Sequence, residues 1–169
     1  MKKFWKFLME FLATGGFLGK IPFASGTFGT LLGVLIFWLL SGYTLVYYLL
    51  IISMIPLSIL ISDYAQKNIY KDENDPKVIV IDEITGYLVS TIGFVFSPSA
   101  QGIFILVTTF IIFRILDIFK PFPIVHLQKL EGGVGIVIDD IFAGIVTNIL
   151  TRILLTLNIT STLFPINHL

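Results

Sequence analysis

Apolar positions run along this chain in long unbroken stretches, and polar positions interrupt them only at intervals. No Asp, Glu, Lys or Arg occurs from residue 21 to 62 or from 84 to 113. A membrane helix requires roughly 20 apolar residues. The first stretch is therefore two crossings long, and a turn at Ser41, Gly42 and Tyr43 predicts spans over 26–41 and 43–62. The second divides at Ser97-Pro98-Ser99-Ala100-Gln101-Gly102 into legs over 83–96 and 101–118, short enough to call for tilt or local thinning of the bilayer. A last span is expected over 140–157, with Arg152 snorkelling near its far end. At the N-terminus, Phe4, Phe7, Leu8, Phe11 and Leu12 recur at helical spacing while Lys3, Lys6 and Glu10 face elsewhere, the pattern of an interfacial helix within residues 1–20. Glu10 interrupts the apolar run and no small-x-small cleavage site follows closely, which argues against a signal peptide. The fold predicted is all-α, a polytopic membrane helical bundle of about four to five spans plus the interfacial helix, forming one domain over residues 1–169. Apolar legs this short also suit the core helices of a soluble bundle.

The charges gather in two segments between the apolar runs. Asp63, Lys67, Lys71, Asp72, Glu73, Asp75, Lys77, Asp82 and Glu83 form the first, and Arg114, Asp117, Lys120, Lys129, Glu131, Asp139 and Asp140 the second. If each apolar run is a hairpin, the N-terminus and both segments, 63–83 and 114–140, emerge on one side of the membrane. Lys and Arg mark the cytoplasmic side. Lys2, Lys3 and Lys6 then share that side with the basic residues of both segments, while the opposite turns are uncharged.

Composition narrows the chemistry. The chain is 56% hydrophobic and 13% charged, with a mean hydropathy of +0.94, whereas soluble domains carry about 25% charged residues. Net charge is zero, which removes the electrostatic case for nucleic acid. Without cysteine there is no disulfide, thiolate metal site or cysteine nucleophile, and two histidines, His126 and His168, do not make a multi-histidine cage. No obligatory protein partner is evident.

What remains is acid chemistry at apolar helix ends: Asp82-Glu83 opens one leg, Asp117 closes the next, and Asp139-Asp140 opens the last. Ionised carboxylates beside lipid are costly unless paired or bound to metal. Oxygen ligands of this kind suit a hard cation, above all Mg²⁺ held alongside a phosphorylated substrate. Acids at a helix start also serve as caps, and for Asp82 capping and metal binding weigh evenly. Asp117 sits at a helix C-terminus, where the dipole disfavours it, so a cap does not account for it. Arg114, Asp117 and Lys120 fall on roughly one helix side before Pro121; they suit a phosphate clamp, and equally basic anchors at the membrane surface. Ser25-Gly26-Thr27-Phe28-Gly29-Thr30 offers hydroxyls ahead of an apolar helix, which suits an anion site and, with more weight, a helix cap. Gly132-Gly133-Val134-Gly135 is permissive backbone matching no nucleotide-binding loop. His126 is a candidate acid or base, though a lone His between Val125 and Leu127 is more often structural.

Four of these pieces together resemble the bacterial phosphatidylglycerophosphatase A family: Ser25 to Thr30 (SGTFGT), Ile81 to Gly86 (IDEITG), Phe113 to Ile124 (FRILDIFKPFPI) and Gly132 to Gly144 (GGVGIVIDDIFAG), in family order across most of the chain. The resemblance implies a Mg²⁺-dependent enzyme in the bacterial cytoplasmic membrane. Such an enzyme removes the terminal phosphate of phosphatidylglycerophosphate at the cytoplasmic face, giving phosphatidylglycerol and inorganic phosphate. On that footing Asp82, Glu83, Asp117, Asp139 and Asp140 are expected to hold metal or activate water, and Arg114 and Lys120 to hold phosphate together with Thr27 and Thr30. Direct attack by water and a phosphorylated carboxylate both stay open.

Competing readings leave traces that can be checked. The D-G-x2-A-R-x8-G-x3-D-x3-D pattern of CDP-alcohol phosphotransferases is absent, Asp139-Asp140 being followed by Ile-Phe-Ala-Gly, and so is the D-x-D motif of haloacid-dehalogenase-like phosphatases. A small ion channel or transporter is the alternative from another class, and it predicts charges near the middle of spans rather than at their ends. A structural scaffold gives no reason for five acids beside lipid.

Overall fold

The computed structural model describes residues 2–71 and 76–157. All of its regular structure there is helical: α1 (Lys2–Ala13), α2 (Ser25–Leu40), α3 (Thr44–Asn68), α4 (Ile81–Ser90), α5 (Ala100–Phe119), α6 (Ile124–Leu127) and α7 (Gly132–Thr156). Asp72, Glu73 and Asp75 of the first charged segment, His168 and the path of residues 158–169 lie outside the described residues. The helices α3, α5 and α7 are long and apolar enough to cross a membrane, and α2 is a shorter apolar helix. At 1.5 Å per residue, α5 spans about 30 Å, the thickness of the hydrocarbon layer. Leu45, Leu49 and Ile52 on α3, Ile103, Ile111 and Ile115 on α5 and Ile149 and Ile153 on α7 are exposed, as lipid-facing residues should be.

The third predicted leg, over 83–96, differs most from the sequence expectation. Helix α4 is ten residues long and buried on nearly every side, with α2, α3, α5 and α7 all packed against it. It covers about 15 Å, half a crossing. Its carbonyls therefore end inside the bundle, where lipid cannot hydrogen-bond them. Polar side chains from α7 do so instead: Asn148 Nδ2 donates to the carbonyls of Ser90 and Ile92, each at 2.9 Å, and Arg152 Nη2 donates to Ile92 at 2.8 Å. Arg152, expected to snorkel, thus closes a broken helix and stacks on the Phe94 ring at 4.7 Å. The chain then turns at Ser97-Pro98-Ser99, and Ser99 Oγ caps α5 by accepting from the Gly102 N–H at 3.2 Å.

The last span also begins earlier than residue 140. Helix α7 starts at Gly132, so the Gly132–Gly135 segment is its first turn rather than a loop. Asp63 Oδ1 of α3 accepts the Gly133 N–H at 3.1 Å and satisfies one of the end's free donors. A Cβ on Gly133 would lie 2.1 Å from the Ile59 carbonyl oxygen, so only glycine lets α7 start against the α3 backbone.

Helices α4 and α7 cross just as closely. A Cβ on Gly144 would lie 2.3 Å from the Gly86 carbonyl oxygen, and one on Gly86 would lie 2.6 Å from that of Asp140. Small residues at a membrane helix crossing allow this backbone approach. Its result is to bring Asp140 onto the first turn of α4. The amphipathic α1 docks through its end, where the Ala13 carbonyl accepts the Val80 N–H at 2.9 Å, and Glu10 pairs with Lys20 at 2.7 Å.

Candidate active site

At one end of the bundle the starts of α2 and α4, the end of α5 and the third turn of α7 enclose a cavity of about 540 Å³. Asp82, Glu83, Asp117 and Asp140 line it together with Arg114 and Lys120, and Lys20 and Lys77 add basic groups to its wall. The cavity gathers residues from both charged segments, because the hairpins return the chain to the same end.

Each acid is carried by a local feature of its helix. Asp82 and Glu83 occupy the first turn of α4, where an acid complements the helix dipole, while Val80 at the N-cap contributes no side-chain cap. Asp82, Glu83 and Asp140 each present a carboxylate oxygen, and these lie within 4.8 Å of one another. Glu83 Oε2 and Asp140 Oδ2 are buried with no hydrogen-bond donor among the described residues. Such a trio is repulsive by itself and can hold a metal ion. Asp139 and Asp140 sit seven and eight residues into α7 rather than at its start, and as neighbours on a helix they diverge by about 100°. Asp140 faces α4, and Asp139 is paired with Lys120 across the end of α5.

The other acid at a helix end is also paired. Asp117 Oδ2 takes a hydrogen bond from Arg114 Nη1 one turn earlier, which offsets its unfavourable place near the α5 C-terminus. The same Nη1 donates to Thr30 Oγ1 at 3.3 Å, while Arg114 Nε is buried with no acceptor among the described residues. Lys120 closes α5 in a left-handed conformation (φ 41°), its N–H bonded to the Leu116 carbonyl at 2.8 Å before Pro121 ends the helix. Burial opposes the charge on its ammonium, but the carboxylates of Asp140 and Asp139 outweigh that, and its pKa lies above the usual lysine value.

The SGTFGT segment contributes through its gaps more than its hydroxyls. Ala24, not a hydroxyl residue, is the N-cap of α2; Ser25 Oγ donates to the Lys77 carbonyl at 2.7 Å, and Thr30 Oγ1 donates to the Gly26 carbonyl at 2.8 Å. Thr27 is not among the residues that line the cavity. Gly26 is, because a Cβ there would lie 2.3 Å from Glu83 Oε1 and 3.0 Å from Arg114 Nη1. Gly26→Ala is therefore expected to displace both groups and to lower activity about 10²-fold, the scale of a 1 Å misplacement, while the thermal unfolding midpoint changes little. His126 stands apart on α6, exposed, with its ring 5.5 Å from that of Phe122. Neither spacing nor composition singles out Lys20 or Lys77 in the sequence, since Lys20 falls in the interfacial segment and Lys77 is one of several residues in a run of mixed charge.

The family model described as Phosphatidylglycerophosphatase A matches residues 11–155, a stretch that includes every acid and base of this cavity. The chain belongs to the phosphatidylglycerophosphatase A family. It is accordingly a phosphatase. A Phosphatidylglycerophosphatase A of Escherichia coli K12 is 33% identical over 139 residues, 80% of this chain and 77% of that protein. One from Haemophilus influenzae is 36% identical over 140 residues, 81% and 82% of the two chains. A Bacteroides thetaiotaomicron protein named provisionally as a phosphatidylinositol-3-phosphatase is 30% identical over 151 residues, 87% and 93% of the two chains. No solved structure matches the chain.

Proposed function

We propose that this phosphatase removes the terminal phosphate of phosphatidylglycerophosphate in a Mg²⁺-dependent hydrolysis at the cytoplasmic face of the bacterial inner membrane. The observation that carries the reading is the meeting of the carboxylate trio with Arg114 in a cavity at the ends of lipid-facing helices. A substrate with two acyl chains and a phosphomonoester needs apolar walls beneath a charged rim, and this is where the molecule provides both. The names of two relatives supply the glycerophosphate headgroup.

The residues fit a hard divalent cation. Asp82, Glu83 and Asp140 offer oxygen only, and at Mg–O distances of about 2.1 Å ligand oxygens are separated by up to about 4.2 Å, within reach of small side-chain adjustments here. Arg114 is paired with Asp117 and Lys120 with Asp139, so the mutual repulsion of Asp82, Glu83 and Asp140 calls for a cation among them before a phosphate can enter. Mg²⁺ so bound would neutralise charge on the phosphoryl oxygens and make an attacking water more acidic. The protein's own groups do the rest. Asp117 and Thr30 hold the guanidinium by Nη1 at the cavity wall, where its positive charge can meet a phosphoryl oxygen. Asp139 holds the Lys120 ammonium at the cavity wall as a second positive charge.

The test is phosphate release from purified protein in detergent, given phosphatidylglycerophosphate and phosphatidylinositol-3-phosphate side by side. Release from the first is expected with Mg²⁺, with loss on adding EDTA and return on adding excess Mg²⁺. Activity indifferent to the chelator would remove the metal. A preference for the inositol lipid would move the headgroup assignment toward that in the Bacteroides relative's name.

A further inference from the structure

Helices α2 and α5 are joined near the cavity by the bond from Arg114 to Thr30, and farther from it their seam opens into an apolar groove of about 410 Å³. Leu31, Val34, Leu35 and Trp38 of α2 line one wall, and Ile103 and Leu106 of α5 the other. Leu31 follows Thr30 directly, Val34 and Trp38 lie four and eight residues past Thr30 on the same helix face, and Leu106 lies eight residues before Arg114. Eight helical residues cover about 12 Å, so the groove leads from the phosphate-binding guanidinium toward the middle of the bilayer. Trp38 and Phe96 close its far end, their rings edge to face with centroids 6.3 Å apart.

We infer that this groove seats one acyl chain of the phospholipid substrate, a placement that rests on reading the cavity as a phosphomonoester site. A lipid whose phosphate reaches Arg114 carries its chains down the apolar continuation of the same seam. The groove is walled by the two helices that also wall the cavity. Lipid tails are as apolar as leucine, so transfer into the groove gives little net attraction. Its contribution is shape: a chain confined there holds the headgroup in one orientation against the acids and Arg114.

The experiment fills the groove from either wall. Leu35→Trp and Ile103→Trp replace exposed side chains, and Leu49→Trp on α3 is an equally lipid-facing control away from the groove. Each full-length variant is assayed for kcat/KM on dipalmitoyl phosphatidylglycerophosphate and on a soluble short-chain analogue with the same headgroup. Both groove variants are expected to lose about tenfold on the long-chain substrate while holding the short-chain value within about twofold, the control changing neither. Equal losses on both substrates, or unchanged long-chain values in both groove variants, would overturn the assignment. If unmodified protein releases phosphate from neither substrate, the reading of the cavity fails first and the groove assignment falls with it.

Discussion

Replacing Asp140 with asparagine is expected to lower phosphate release on the order of 10³-fold or more, the scale of losing an electrostatic group aimed at the reacting phosphate. The amide keeps the shape of the carboxylate and removes its charge at the point where α7 crosses α4. Asp140 is 2% exposed, and the charges of Asp117, Asp82 and Asp139 all bear on it. The substitution therefore acts on stability in the opposite sense from activity. Without divalent cation, one charge fewer relieves repulsion in the trio, and the metal-free variant should unfold at a higher temperature than the unmodified protein. The stabilisation that Mg²⁺ adds, which grows as RT ln(1 + [L]/Kd), should shrink at the same time. Thermal unfolding in detergent across a Mg²⁺ series reads both changes beside the phosphate assay. A variant that keeps both its turnover and its Mg²⁺-dependent rise in midpoint would sink the metal model.

Arg114→Lys is expected to cost about 10²-fold in kcat/KM. Lysine preserves the charge but has no planar fork, so it cannot bond Asp117 and Thr30 through one nitrogen while offering a second to phosphate. Stability should change far less than activity in this variant. Arg114→Ala differs, because it strands the buried Asp117 carboxylate, and breaking such a pair from one side costs about 3–5 kcal/mol. Removing both partners, Arg114→Ala with Asp117→Ala, should restore most of the thermal midpoint and none of the activity. Recovery of phosphate release in the double variant would assign the pair a structural role alone.

These two expectations separate the five acids into groups that look alike in the sequence. Asp117 and Asp139 are each matched to one cation, whereas Asp82, Glu83 and Asp140 face one another. Nothing in the string of residues distinguishes Asp139 from Asp140. Their different tasks follow from the turn of the helix, which aims one at the end of α5 and the other at α4. Gly26 is a similar case: the motif around it suits a helix cap and, with less weight, an anion site, and the folded chain uses the missing Cβ to make room for Glu83 and Arg114.

Apolar length and the placing of charges depend only on the order of residues, and they are sufficient to predict a membrane helical bundle with most of its charges at one end. The hairpin turn near Ser41 and the turn at Ser97–Ser99 follow from the same property, since lipid tolerates charge and unpaired backbone only where the chain leaves it. Close approach between distant segments does not depend on order in that way. The half-length α4, the early start of α7 and the capping task of Arg152 all arise because glycines let backbones touch and buried carbonyls must find donors. Which acids share a site, and which cation each one meets, is a property of helix crossings, and only the tertiary structure decides it.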